Sequence, residues 1–215
     1  MIVKWLGHSS FMITSDKGVK IITDPYKTGR GLKYGEIKES ADSVTVSHEH
    51  GDHNNTVVIG GNPQIIRGLT PVDVKGIKIN GVATFHDAEQ GNSHGTNTAF
   101  CFEVDGIRIC HLGDLGHKLN EQQVGQIGRV DVLLTPMAGF FTMDAEVATE
   151  VANQLTPKII IPMHFRNERC DYPISAVDDF LKGKKNVTMM NSSEIELNSG
   201  KIPDETRIIV LKPAL

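Results

Sequence analysis

The sequence predicts a mixed α/β domain in which two β-sheets are covered by helices. Three features point there: short strand-like runs with turn punctuation fill the first half, helical periodicities appear only later, and no repeat, low-complexity tract or linker divides the chain. With 215 residues the chain can bury a core of its own, so residues 1–215 are expected to form a single domain.

The elements follow in order. Residues 3–6, 11–14, 19–23, 43–47, 64–67, 77–79 and 82–85 are apolar or β-branched runs of strand length. Asp16-Lys17-Gly18 and Asn80-Gly81 are expected turns between them. Residues 98–104 and 107–111 read as a hairpin, because Asp105-Gly106 supplies the positive φ that a tight type I′ turn demands. Helices are expected over 120–127, 144–155 and 175–181. In the second, Asp144 is a natural N-cap, Val147, Val151 and Leu155 share one stripe, and Pro157 lies just beyond the end.

Composition narrows the function. A hydrophobic share of 39% marks a globular protein, and a net charge of −4 provides no basic footprint for nucleic acid. No apolar run approaches the roughly 20 residues that span a bilayer, and residues 1–5 lead into a strand-like run without a signal-peptide pattern, so a cytoplasmic location is expected. The three cysteines, Cys101, Cys110 and Cys170, are odd in number and not closely paired in sequence, which argues against a disulfide framework and a thiolate metal site.

The chemistry lies in where histidines and aspartates fall. Four apolar runs each lead into a potential metal ligand: 43–47 into His48, 82–85 into His86, 107–110 into His111 and Asp114, and 159–163 into His164. If those strands share a direction, their carboxyl ends collect imidazoles and carboxylates at one edge. The segment 48–53 alone packs three imidazoles and the Asp52 carboxylate together, with Gly51 expected to provide a backbone conformation that larger residues resist. Imidazole and carboxylate donors without cysteine suit zinc, manganese or iron.

The pattern His48-x-His50-x-Asp52-His53 resembles the signature of the metallo-β-lactamase superfamily, and the resemblance extends along nearly the whole chain. It is most similar to the compact group of metal-dependent hydrolases that includes the ascorbate-6-phosphate lactonase type. Gly7-His8-Ser9-Ser10-Phe11, Thr23-Asp24-Pro25, Phe85-His86, His111-Leu112-Gly113-Asp114, the stretch from Pro136 to Met143, and Pro162-Met163-His164-Phe165 carry that likeness. The chain departs from the group at Gly139, where relatives often have a polar residue.

The resemblance implies a four-layer αβ/βα sandwich and two divalent cations, zinc first, with manganese or iron as alternatives. It places one cation on His48, His50 and His86 and the other on Asp52, His53 and His164, with Asp114 bridging them. Asp52 is also the expected catalytic residue, orienting a hydroxide that attacks a small ester, lactone or phosphoester. His8, Asp24 and His94 are assigned to the surroundings, where they orient ligands or touch substrate. Among these, Asp24 suits a carboxylate that fixes a ligand histidine's tautomer, and His94 belongs to a Gly/Asn/Ser-rich substrate loop over 87–97. His111 and His117 are expected to pack or face solvent; Phe140, Phe141 and Met143 read first as core.

A small-molecule substrate is the expected partner, without nucleic acid or membrane, and self-association is compatible with the sequence. Two alternatives share the signature. A nuclease or phosphodiesterase would need a basic surface that this composition lacks. Oxygen-reducing di-iron relatives usually carry Glu where His50 stands, and this chain has no flavin module.

Overall fold

The structure, a computed structural model describing residues 1–215, contains fourteen strands and three α-helices. In chain order these are β1 (Ile2–Gly7), β2 (Ser10–Thr14), β3 (Lys20–Thr23), β4 (Ser43–Val46), β5 (Gln64–Arg67), β6 (Val72–Val74), β7 (Ile77–Phe85), β8 (Thr96–Val104), β9 (Ile107–His111), α1 (Glu121–Ile127), β10 (Val132–Pro136), α2 (Ala145–Leu155), β11 (Ile159–Met163), α3 (Val177–Leu181), β12 (Val187–Met189), β13 (Glu194–Glu196) and β14 (Arg207–Val210). They form a six-stranded sheet, β13-β1-β2-β3-β4-β5, and an eight-stranded sheet, β12-β14-β11-β10-β9-β8-β7-β6. This is a two-sheet α/β sandwich, as the resemblance implies.

Strand direction decides where the functional residues go. β1 and β3 are each antiparallel to β2, so they run the same way, and β4 and β5 continue parallel to β3. In the second sheet β7 and β9 are each antiparallel to β8, while β10, β11, β14 and β12 follow parallel to β9. The loops after β1, β3 and β4 therefore leave one sheet at a common edge, and those after β7, β9 and β11 leave the other likewise.

Apolar side chains fill the space between the sheets. Trp5 of β1 packs 5.2 Å from Phe165, just past β11, and Phe11 of β2 meets His111 of β9 at 6.2 Å. Helix α2 begins at Asp144, whose carboxylate accepts from the Glu146 and Val147 amides, as expected of an N-cap. Its buried stripe is Ala148, Val151, Ala152 and Leu155, the spacing of one helical face, and it packs against β10 and α3. Burying Val151 and Leu155 stabilises this contact by roughly 1.5–3 kcal/mol each. Helix α1 contacts β7 and is closed by a reciprocal Asn120–Gln123 capping box. Irregular chain lies against β1 of the six-stranded sheet: the Tyr26 hydroxyl donates to the Leu6 carbonyl at 3.4 Å, and a side chain at Gly7 would collide with Tyr34 at 2.6 Å. No helix is long and apolar enough to cross a membrane.

The hairpin at Asp105-Gly106 forms as expected, with φ of 50° and 78°. The expected turn at Asn80-Gly81 does not: β7 runs unbroken from Ile77 to Phe85, and both residues pair with β8. Gly81 is small for a different reason, since a Cβ there would lie 2.3 Å from the Gly68 carbonyl oxygen. The β8–β9 register also sets Cys101 opposite Cys110 with their sulfurs 3.7 Å apart, both as buried free thiols.

Candidate metal centre

Six loops deliver the candidate residues. His8 follows β1, Asp24 follows β3, His48–His53 follow β4, His86 follows β7, Asp114 follows β9 and His164 follows β11. All stand at carboxyl ends of strands sharing a direction within each sheet, and the sandwich brings the two edges together.

Asp114 is the centre of the group. Its Oδ2 lies 3.1 Å from His53 Nε2, 3.2 Å from His164 Nε2, 3.3 Å from His86 Nε2 and 3.9 Å from His48 Nε2. Donors bound to one tetrahedral cation at roughly 2.0–2.1 Å stand about 3.3 Å from one another, so most of these separations match neighbouring ligands on a shared ion. The donor atoms of His48, His50 and His86 form one group, and those of Asp52, His53, His164 and His8 form another. A third group joins Asp24, His48 and His53, and Asp114 stands among the imidazoles by the distances above. His8 joins the second.

Hydrogen bonds around the cluster fix which nitrogen faces inward. The Ser47 hydroxyl donates to Asp24 Oδ2, so its oxygen is left to accept from His48 Nδ1–H at 2.9 Å. His53 Nδ1–H donates directly to Asp24 Oδ2 at 3.0 Å. Both rings therefore turn Nε2 toward Asp114, and both buried Nε2 atoms have no hydrogen-bond partner. Buried polar atoms are rarely left so, and ring nitrogens aimed at one point are what a cation requires once any proton they hold has left. Asp24 thus bonds one ring directly and the other through Ser47, and its other oxygen accepts from the Ser47 amide at 2.8 Å.

Asp52 is held from two sides. His8 Nε2 lies 3.2 Å from Oδ2, where it must donate, and the Tyr172 hydroxyl donates to the same oxygen at 3.4 Å. His8 lies against the ring of His164 at 4.1 Å, and the His164 amide donates to the His8 carbonyl. Asp114 is placed by its own amide, which donates to Asn97 Oδ1 at 3.0 Å, while the Asn97 amide donates to Thr84 and the Leu112 carbonyl. Gly113 makes this approach possible: with φ at 56°, a Cβ would lie 2.3 Å from Asn97 Oδ1 and 2.6 Å from Ser47 Cβ.

Electrostatics favour a cation. Burial raises the pKa of Asp114, but His164 and then His53 outweigh it and hold the carboxyl well below its ordinary range. Asp52, likewise buried, is lowered chiefly by His53 and His8, and Asp24 by its bond to His53. Burial works against charge on His53, yet Asp114 and Asp52 raise its pKa well above the ordinary value. Burial lowers His48 to about 3 and His8 to about 4. The result is a set of ionised carboxylates beside imidazoles whose protons a metal ion can replace. His8, Asp24 and His164 also have positive φ values of 51°, 38° and 53°. Non-glycine residues hold such conformations at about 1–3 kcal/mol each, and they concentrate at functional sites.

The remaining residues divide clearly. His94 is exposed, 5.4 Å from the His86 ring, and lines a cavity of about 190 Å³ with His50, Asp52, His86, Asp114, Phe141, His164 and Tyr172. Its loop is fastened by Asp87, whose carboxylate accepts from the amides of Glu89, Gly91, Ser93 and His94. His111 is buried, donating from Nε2 to the Ser9 carbonyl and accepting at Nδ1 from the Gly113 amide; His117 caps the Phe85 amide. Gly51 does not supply the expected special conformation, since its φ is not positive and a Cβ there would meet nothing within 4 Å. The bend comes instead from the His53 and Asn54 amides, which both donate to the His50 carbonyl. Ser47, Asp87, Asn97 and Tyr172 were not anticipated. The Ser47 position beside His48 and the Asp87 position beside His86 were the available signals.

A sandwich whose co-directional strands converge on a histidine and aspartate cluster defines a metal-dependent hydrolase of the metallo-β-lactamase class. The chain belongs to the β-lactamase superfamily, whose domain model matches residues 2–164. It is 32% identical to a protein named UPF0173 metal-dependent hydrolase from Archaeoglobus fulgidus, covering 86% of this chain and 91% of that one. A protein of the same name from Pelotomaculum thermopropionicum is 31% identical, covering 93% and 97%. A crystal structure of a metallo-β-lactamase superfamily protein from Thermotoga maritima superposes with a TM-score of 0.82 at 37% identity, covering 98% and 97%.

Proposed function

We propose that this protein hydrolyses a small ester, lactone or phosphoester-type molecule with two divalent cations. The carrying observation is the gathering of four imidazole nitrogens within 3.9 Å of Asp114 Oδ2, with two of them buried and unpartnered. His48, His50 and His86 would hold one ion and Asp52, His53 and His164 the other, with Asp114 between them. Zinc suits these donors, with manganese or iron as alternatives, and the Thermotoga maritima neighbour is described in terms of zinc. Such ions would lower the pKa of bound water towards about 7 and would offset negative charge developing on the substrate.

The chain's own groups do the rest. Asp52, steadied by His8 and Tyr172, accepts a hydrogen bond from the attacking water and sets its direction. Phe141, Tyr172 and His94 wall the cavity, whose volume of about 190 Å³ suits a small molecule better than a polymer. The net charge of −4 supports the same choice over nucleic acid.

The test is elemental analysis of carefully purified protein followed by a screen of lactones, phosphodiesters and thioesters. Asp52→Ala is expected to lower hydrolysis by at least about a hundredfold. Full metal content with an unaltered rate in that variant would overturn the proposal.

A further inference from the structure

We propose that Phe140, Phe141 and Tyr172 form an aromatic subsite at the mouth of the cavity, so that the substrate carries an aromatic ring beside its scissile group. This rests on the hydrolytic reading above and extends it to a substrate class.

The three aromatics are continuous with the metal centre. Phe141 and Tyr172 line the same cavity as Asp52, Asp114 and His164, with ring centroids 5.9 Å apart. Phe141 also meets His94 at 6.3 Å and Phe140 at 4.7 Å, and its plane stands at 88° and 80° to theirs. Edge-to-face stacking at these spacings is how aromatic rings attract one another, and a ring entering the mouth would extend the same pattern.

Phe140 separates this arrangement from ordinary core packing. It is 70% exposed, whereas Met143, three residues on, is buried at 2%. Its φ is 61°, next to Gly139 at 67°, in a region that a bulky side chain rarely adopts. The turn is anchored rather than loose: the Gly139 amide donates to the Met143 carbonyl at 3.1 Å, and the Met143 amide to the Leu115 carbonyl at 3.0 Å. This strained backbone holds the Phe140 ring mostly in solvent, touching the cavity only through its edge-to-face contact with Phe141. A ligand that covers the ring gives it a use.

The experiment compares phenylphosphonate with methylphosphonate, two anions that present the same tetrahedral head to the metals, by calorimetry on metal-reconstituted protein. Phenylphosphonate is expected to bind about tenfold more tightly, and in Phe140→Gly the preference should fall to about threefold or less, with Phe140→Tyr restoring it. Phe140→Gly should also melt at the same temperature as the parent or higher, because glycine accepts the left-handed backbone. Equal binding of the two anions by the parent, or an unchanged preference with a lowered melting temperature in Phe140→Gly, would overturn the subsite while leaving the metal centre intact. Failure of both anions to bind would overturn the hydrolytic reading and the subsite with it.

Discussion

Removing the Asp24 carboxylate should loosen metal binding without touching a ligand. Asp24 is fully buried and accepts from the Ser47 amide, the Ser47 hydroxyl and His53 Nδ1. Through Ser47 it also governs His48 Nδ1, so one side chain sets the tautomer of a histidine in each ligand group. Loss of such an outer partner typically weakens a metal site by about 10–100-fold, or about 1.4–2.7 kcal/mol. Asp24→Ala should also lower stability by at least about 1–3 kcal/mol, because it strands buried donors. Asp24→Asn preserves shape and separates the two effects: it should fold, yet lose affinity, since its amide cannot accept at every position the carboxylate serves. Competition with a chromophoric zinc chelator measures affinity, and thermal unfolding of the metal-free protein measures stability. If Asp24→Asn folds and binds zinc within twofold of the parent, the orienting role is wrong.

Other predictions address the scaffold and the loops. Gly113→Ala should lose most bound metal, because its methyl group would displace Asn97 and, with it, Asp114; normal metal content by elemental analysis would contradict this. Asp144→Ala should cost about 1 kcal/mol, a melting shift of about 2–4 °C, with metal affinity unchanged, since it removes only the cap of α2. Asp87→Ala should speed amide exchange over 89–94 by about tenfold or more while metal content stays full, and unchanged exchange would show that the loop is held by something else. Apparent metal affinity should rise as pH increases above the ordinary histidine range: the metal-free cluster holds His53 and His86 above their ordinary pKa, so a bound proton must leave before either nitrogen can ligate, and higher pH makes that easier. A flat profile would contradict that competition.

Much of the site could be read from the sequence because each ligand follows an apolar run that is a strand in its own right. A strand's exit point is local information, and the parallel placement of β3 with β4 and of β9 with β10 and β11 carried those exits to one edge. What escaped depended on contacts distant in sequence. Tyr172 reaches Asp52 across 120 residues, and Asn97 supports Asp114 only because β8 and β9 lie side by side. Strands β12 and β13 do alternate, but at three mostly exposed residues each they are too short for the alternation to stand out as a strand signal. β10 is buried at every position and opens on the apolar run Val132-Leu133-Leu134, a pattern shared by buried helices and buried parallel strands. The glycines misled twice for one reason. Gly51 and Gly81 were read as conformational devices, yet Gly51 is unconstrained and Gly81 is small to clear the Gly68 carbonyl, which only the folded chain brings near.

If separate loops close around two cations as proposed, counting the bound ions is the most direct test. Native mass spectrometry of the zinc-reconstituted protein should find two metal ions per chain, falling to one when His86 is replaced by alanine. A parent protein that binds one ion or none, while remaining folded, would contradict that proposal.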